Sequence, residues 1–388
     1  MPFQRAARLD RLPAYLFIEI DRKKRAAIAA GRDVIDLGVG DPDRPTFDFI
    51  VDRLAETARD PSNHRYPHDA GVPAFKDAAA AWFQRRFGVS LDPARELLTL
   101  IGSKEGLGHL PLAVVNPGDI GLVPRPGYPV YYSSVIFAGG EPYAMPLSAA
   151  RGWLPDTGAI PTGVLDRASI MFLNYPNNPI GATAPLSFFE QAVRLARRHD
   201  FVIAHDAAYS ELYYESPPPS ILQVDGAIEV AVELHSLSKT FNMTGWRLGF
   251  AAGNADVLAA LAKIKGNVDS GAVNAIQHAG AAAMQHIDGP DVAALRDMYR
   301  RRRDRFVAAL GAGGLPARPP AATFYVWVPC PQGHDSMTCV SRMLEEQAVV
   351  AVPGSGFGEE GEGYVRFSLT TPDDRLDEAA ERLQHIRW

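Results

Sequence analysis

Ser236-Leu-Ser-Lys239-Thr-Phe-Asn-Met-Thr-Gly-Trp-Arg247-Leu-Gly-Phe250 follows an apolar alternation, Val230, Val232 and Leu234, and runs into a second apolar segment. A lysine that ends a buried strand is poorly solvated, so its amine is more readily neutral and nucleophilic. Such an amine condenses with an aldehyde. Ser236, Ser238 and Arg247 supply what a phosphate monoester needs, hydroxyl donors and a planar cationic fork. An aldehyde and a phosphate on one small molecule describe pyridoxal 5'-phosphate, linked covalently through Lys239. A Ser-x-Ser-Lys tetrapeptide alone would read as a turn with surface charges; the fifteen residues together do not.

Five further segments bear on that reading. The pyridine ring of such a cofactor needs an acid beside its nitrogen to act as an electron sink. Phe201-Val-Ile-Ala-His-Asp206-Ala-Ala-Tyr209 ends an apolar run on Asp206, where a carboxylate needs a cationic partner. Tyr209 is placed to donate to the ring 3'-oxygen, against the alternative of a helix-capping Asp with a packing Tyr. In Asn174-Tyr-Pro-Asn-Asn178-Pro179-Ile-Gly181, Asn-Pro and Gly force a turn after Ile170–Leu173, and Asn178 offers an amide to the same oxygen. Gly102-Ser103-Lys104 follows a strand-like Leu97–Ile101 and opens a helix, whose first N–H groups suit a phosphate. Pro126-Gly-Tyr128 offers an aromatic face to stack on the ring. Arg366, inside the alternating Tyr364-Val-Arg-Phe-Ser-Leu, is costly to bury unless it meets an anion, and a bidentate α-carboxylate clamp fits. The alternative is an exposed arginine on an edge strand.

The organisation is a strand–helix alternation. Residues 13–30 read as an amphipathic helix followed by the extended Val34-Ile-Asp-Leu. From about 45 to 285 short apolar strands alternate with helices such as 185–199 and 254–265, which is an α/β fold with a doubly wound, mostly parallel sheet. Ligands bind such sheets at the C-terminal ends of the strands, where every segment above falls. From about 290 a long helix, strands at 323–328, 349–352 and 364–370 and a last helix near 374–386 describe a smaller α+β domain. The expected division is 1–44 as an N-terminal segment on the small domain, 45–285 as the large cofactor-binding domain and 286–388 as the small domain.

These segments, in this order, resemble the fold-type I, class I/II aminotransferases, which depend on pyridoxal 5'-phosphate. The resemblance runs over essentially the whole chain. Leu12-Pro-Ala-Tyr15, Ile101-Gly-Ser-Lys-Glu-Gly, Val123-Pro-Arg-Pro-Gly-Tyr, His205-Asp-Ala-Ala-Tyr-Ser-Glu and His235-Ser-Leu-Ser-Lys bring it nearest to the LL-diaminopimelate aminotransferase subgroup. The resemblance implies Lys239, Asp206 and Tyr128 as catalytic, and Ser103, Lys104, Asn178, Tyr209, Ser236, Ser238 and Arg247 as further cofactor ligands. It implies that Tyr66 reaches the phosphate of a neighbouring subunit in a homodimer with shared sites. It implies Tyr15, Gly40, Asp69, Asn274 and Arg366 around an amino-acid substrate, with 2-oxoglutarate as acceptor. Two positions depart from the pattern: Ile180 stands where Thr is usual, and Arg125 where Asp is expected, altering charge at the entrance. Aminotransferases for aspartate, alanine or an acylated diaminopimelate, a lyase on the same fold, and a non-catalytic cofactor-binding regulator remain open alternatives.

Composition fits a metabolic enzyme. The 388 residues carry 47% hydrophobic and 22% charged residues and a net charge of −6, which argues against a nucleic-acid partner. Two cysteines, Cys330 and Cys339, point to a reducing, cytoplasmic setting. No membrane-length apolar run, leader segment or metal motif is expected. Arg300-Arg-Arg-Arg303, flanked by Asp297 and Asp304, reads as a solvated helix face. Gly354-Ser-Gly-Phe-Gly358 reads as a flexible loop.

Overall fold

The structure is a computed structural model that describes residues 3–12, 17–67 and 70–388. Helix α1 (Phe17–Ala29) and the short strand β1 (Ile35–Asp36) precede helices α2 (Asp48–Ala58) and α3 (Pro73–Phe87). Alternation then sets in with β2 (Leu97–Leu100), α4 (Ser103–Val114), β3 (Ile120–Arg125), α5 (Pro129–Phe137) and β4 (Glu141–Pro146). It continues through the one-turn α6 (Thr162–Leu165), β5 (Ala168–Asn174), α7 (Leu186–His199), β6 (Val202–Asp206) and β7 (Ala231–Ser236). The one-turn α8 (Leu237–Thr240), β8 (Gly249–Gly253), α9 (Ala255–Val268) and α10 (Asn274–Gln285) complete this part.

These strands form one seven-stranded sheet in the order β2-β8-β7-β6-β5-β3-β4. Strand β8 is antiparallel to both neighbours, and the other pairings are parallel. Strands buried on both faces need near-continuous apolar sequence, and β5 supplies it with Ile170-Met-Phe-Leu173, all fully buried. Period-two alternation sorts those residues. Met171, Leu173 and Ile203 face the core beneath α3, α7 and α10; Ile170, Phe172 and Ala204 face α4, α5 and α9. Helix α7 shows why it lies there: Phe188, Phe189, Ala192, Val193 and Ala196 recur at helical spacing and are buried.

The long α11 (Pro290–Ala312) leads to a second body: β9 (Tyr325–Pro329), α12 (Ser336–Gln347), β10 (Val349–Val350), β11 (Val352–Pro353), β12 (Tyr364–Ser368) and α13 (Asp373–Leu383). Strands β11, β12 and β9 form an antiparallel sheet with β12 in the middle, and β10 pairs in parallel with β1. Ile20, Ile35 and Leu37 from the N-terminal part join this second core, and Tyr209 and Leu212 tie it to the sheet body. Arg8 and Arg11 instead donate to the carbonyls of Phe137 and Gly140, beside α5. Among the described residues no helix is long and apolar enough to cross a membrane.

Two expectations are corrected. The arginine run is not a solvated face throughout: Arg300 pairs with Asp297, but Arg302 is fully buried and Arg303 nearly so. Arg302 lies on the stripe Leu295, Tyr299, Phe306, Leu310 that faces the second core. Gly354–Gly358 is not a flexible loop. It is a 3₁₀ turn with Gly354 and Phe357 buried, and a Cβ on Gly354 would lie 2.0 Å from the carbonyl oxygen of Gly361.

Candidate active site

The residues singled out in the sequence gather at one edge of the seven-stranded sheet, where β2, β3, β5, β6 and β7 end. Strand β8 runs the other way, so its first residue lies at the same edge: Gly249 pairs with both Leu100 of β2 and Ser236 of β7. Arg247 precedes it, in the left-handed backbone region at φ 55°. Its guanidinium donates to the carbonyls of Thr244 (2.7 Å) and Ile101 (3.4 Å). That places it over the N-terminus of α4, where Ser103 is the first residue and Gly102, the cap, has φ 93° and no side chain. A Cβ at Gly102 would approach Arg247 Nη2 to 2.4 Å. Ser236 caps α8 by accepting from the Ser238 N–H at 3.2 Å. Helix N–H groups, three serines (Ser103, Ser236 and Ser238) and a guanidinium form an anion corner. Lys104 is exposed, with its amine 5.9 Å from the centre of the Tyr128 ring.

Asp206 ends β6 and is buried. Its carboxylate accepts from the Tyr131 hydroxyl at 2.7 Å and the Ala208 N–H at 3.2 Å. Among the described residues no lysine or arginine pairs with it. Burial, foremost, raises its pKa above the usual carboxylate range, opposed by those two hydrogen bonds and by His205 and His235. Tyr131 stacks on Phe172 with centroids 5.1 Å apart, and burial beside Asp206 pushes its own pKa well up. Sequence alone assigns Tyr131 no role; its signal is the three-residue step from Tyr128 onto the first turn of α5, which places the two rings edge to face at 5.8 Å. The Asn174 amide donates to the Asp206 carbonyl (2.8 Å) and its oxygen accepts from the Asn178 N–H (2.8 Å), so the Asn-Pro turn is tied to the end of β6.

Lys239 donates to the Gly40 carbonyl at 2.8 Å. Burial, foremost, brings its pKa down to about 8; Asp41 opposes this, and Arg247 and Arg366 add to it. Gly40 is glycine for space: a Cβ would lie 1.9 Å from the Tyr325 hydroxyl. Tyr325, a second residue the sequence reading passed over, shares a hydrogen bond with Tyr209 at 3.2 Å. Arg366 is buried on the central strand of its sheet, so it is not an edge-strand arginine. It donates to Asn178 Oδ1 (2.9 Å) and to the Gly38 carbonyl (2.6 Å), and lies over the rings of Tyr325 and Phe357. Its Nε is buried without a partner. With its oxygen engaged, what Asn178 has left for a ligand is its amide donors.

Elsewhere, Tyr66 is 87% exposed and lines a groove of about 810 Å³ with Asn274, which is buried. Asn274 Nδ2 donates weakly to the Arg65 carbonyl at 3.4 Å, and its Oδ1 has no partner. Tyr15 and Asp69 lie outside the described residues. Helix α3, which follows Asp69, is capped by Val72 with no side-chain hydrogen bond. Of the two departures, Ile180 is buried against Leu147, Trp327, Val352 and Phe357, a contact set that suits a hydrocarbon. Arg125 lies over Tyr132 at 4.5 Å and 3.9 Å from Glu360, so it bridges to the turn at 354–361. Glu105, His109 and Asp269 cluster closely, but Lys265 donates to both carboxylates (3.2 and 2.7 Å) and supplies the local cation itself.

Pyridoxal 5'-phosphate matches what these groups lack. A buried carboxylate without a cation suits a protonated pyridine nitrogen, the anion corner suits a phosphate, and an amine of lowered pKa within reach of Arg247's charge suits the aldehyde. The comparisons agree. The family model for "Aminotransferase class I and II" matches residues 32–383. The chain belongs to that family. It is 54% identical over its full length to the LL-diaminopimelate aminotransferase of Syntrophobacter fumaroxidans, all of which is covered. Substrate-bound BacF from Bacillus subtilis superposes with a TM-score of 0.95 at 37% identity, covering 99% of this chain and 98% of that one. A probable N-succinyldiaminopimelate aminotransferase from Thermus thermophilus superposes at 0.89 with 40% identity, covering 95% and 99%. The aminotransferase is therefore a pyridoxal 5'-phosphate enzyme acting on small amino and oxo acids.

Proposed function

We propose that Lys239 carries the cofactor and moves the substrate proton, and that the amino donor is L,L-diaminopimelate with 2-oxoglutarate as acceptor. The carrying observation is that a half-buried Lys239 and a buried Arg366 hang on backbone carbonyls of one loop, in a site whose buried carboxylate, Asp206, lacks a cation. The cofactor, when bound, supplies an aldehyde for the amino group and a ring that takes up the electron pair released at Cα. Arg366 binds the α-carboxylate through its fork and sets the direction of the Cα–H bond. The neutral Lys239 amine takes the Cα proton as base and returns it as acid. Asp206 holds the proton on the pyridine nitrogen, with Tyr131 fixing its carboxylate. Asn178 and Tyr209 donate to the 3'-oxygen, Tyr128 stacks, and Ser103, Lys104, Ser236, Ser238 and Arg247 hold the phosphate. We also assign a cytoplasmic setting, in keeping with Cys330 and Cys339 both being free.

The diaminopimelate reading rests on the relative's name and on the distal groups. The substrate's second amino-acid head needs its ammonium and carboxylate satisfied together, because either left unpaired costs desolvation. Asp69 is assigned to the distal ammonium; Tyr15 and Asn274, whose buried Oδ1 and weakly engaged amide are noted above, are assigned to that head. Such a site rejects analogues lacking one group, here by roughly 10⁴-fold. The test compares kcat/KM for L,L-diaminopimelate, its meso isomer, aspartate, alanine and glutamate in wild type and Asp69→Ala. Diaminopimelate is expected to lead in the wild type and to lose most of its lead in the variant. A wild-type preference for aspartate or alanine overturns the reading.

The reading includes a homodimer with shared sites. Tyr66 stands exposed on the groove and makes no contact with the phosphate corner of its own chain among the described hydrogen bonds, and the exposed Val273 lines the same groove beside Asn274. Mixed Tyr66→Phe and Lys239→Ala proteins are expected to recover up to about a quarter of wild-type activity through heterodimers with one intact site, provided Tyr66→Phe alone is impaired. A fully active monomer in light scattering contradicts the arrangement.

A further inference from the structure

The two cations of the proposed site share an anchor. Residues 38–43, between β1 and α2, give the Gly38 carbonyl to Arg366 (2.6 Å) and the Gly40 carbonyl to Lys239 (2.8 Å). Asp41, next to Gly40, raises the affinity of Lys239 for its proton. The loop is fixed at two points. On one side, the Thr370 hydroxyl donates to the Val39 carbonyl at 2.8 Å. On the other, Arg302 of α11 grips Asp43 with both ends of its fork, Nη1 to Oδ1 at 2.7 Å and Nη2 to Oδ2 at 2.9 Å. Arg302 is 1% exposed, and it also donates to the Leu369 carbonyl (2.9 Å) and to Asp373 (2.7 Å). A fully buried guanidinium is costly unless every donor is used in good geometry, and a fork on a carboxylate fixes orientation as well as distance.

We infer that Arg302 is a positioning residue: by clamping Asp43 it holds loop 38–43 where its carbonyls meet Lys239 and Arg366. Arg302 touches neither substrate nor cofactor and acts only through the loop. The inference rests on the reading of Lys239 as the cofactor lysine. Its consequence is a titration. Lys239 is faced by Asp41, Arg247 and Arg366, by the Gly40 carbonyl and by the Phe324 ring. A carbonyl acceptor and a nearby carboxylate both favour the ammonium form. Loosening the loop removes both, so the amine gives up its proton at lower pH.

The experiment follows the rate at which pyridoxal 5'-phosphate, added to cofactor-stripped protein, forms a borohydride-reducible adduct, mapped by mass spectrometry, against pH. Asp43→Asn keeps the size of the side chain but releases one arm of the fork and so loosens the loop, and its midpoint is expected at least about half a unit below wild type. Thr370→Val loosens the same loop without touching a charge and is expected to move the midpoint the same way by less. Asp373→Asn removes a half-exposed partner of Arg302 that does not belong to the loop, and the midpoint stays. A merely structural role would lower the melting temperature in all three and move none of the midpoints. An unchanged or raised midpoint in folded Asp43→Asn and Thr370→Val, or an equal shift in Asp373→Asn, overturns the inference. An adduct in wild type that maps away from Lys239 overturns the underlying reading instead, and the inference with it.

Discussion

Lys239→Ala is expected to lose the borohydride-reducible adduct and to transaminate at least about 10⁴-fold more slowly than wild type, because on the proposed reading the same amine binds the aldehyde and moves the proton. The pH dependence follows from its surroundings. Burial brings the pKa from 10.5 to about 8. The reactive form is the neutral one, so reactivity grows as pH rises through about 8 and levels off above it. At pH 8 about half of such lysines are neutral, against about 0.3% for a lysine of ordinary pKa. Aldehyde uptake by stripped wild-type protein should therefore be fast near neutrality, and absent at this position in the variant. Absorbance before and after borohydride, with the adduct mapped to its residue, provides the check. Turnover that persists in Lys239→Ala removes the assignment.

How much of this site was readable in the sequence depended on where each residue falls. Lys239, Asp206, Asn178, Ser103 and Tyr128 each follow an apolar run, and a parallel sheet brings the ends of such runs together. Arg366 was readable for another reason, as a charge inside an alternating strand. Tyr131 was not, since a tyrosine on an apolar helix reads as packing, and only the fold brings its hydroxyl within 2.7 Å of the Asp206 carboxylate. Gly38 and Gly40 act through carbonyls, which carry no side-chain signature. Arg302 was misread because four arginines in a row suggest solvent. The repeat Leu295, Tyr299, Arg302, Phe306 puts it on the buried stripe. Its partner Asp43 is 259 residues away in the chain, beyond the reach of any local pattern. Ile180 looked like a lost hydroxyl until its apolar neighbours came into view.

Asp206→Ala is expected to cost about 10³-fold or more in kcat, more than it costs in cofactor affinity. The asymmetry follows from the division of labour along the sheet edge. The corner of Ser103, Ser236, Ser238 and Arg247 lies at the ends of β2 and β7 and the start of β8, and on the proposed reading it would hold the phosphate of the cofactor. Asp206, on the same reading, would contribute little to that grip and would set the charge on the nitrogen. A carboxylate this buried sits above its usual pKa when no cation is near. A pyridinium beside it restores the ionised form and is itself kept protonated, since each charge lowers the cost of the other. Tyr131 and the Ala208 N–H fix the carboxylate for that pairing. Asp206→Asn tests the charge apart from the shape: it retains a side chain of the same size and should resemble Asp206→Ala in rate while binding cofactor nearly as well as wild type. Arg247→Ala should show the reverse, a large loss of cofactor affinity with a smaller loss of kcat at saturating cofactor. Single-turnover rates and cofactor titrations on the three variants separate the two effects. A rate near wild type in saturated Asp206→Ala would falsify the role of the carboxylate as keeper of the ring proton.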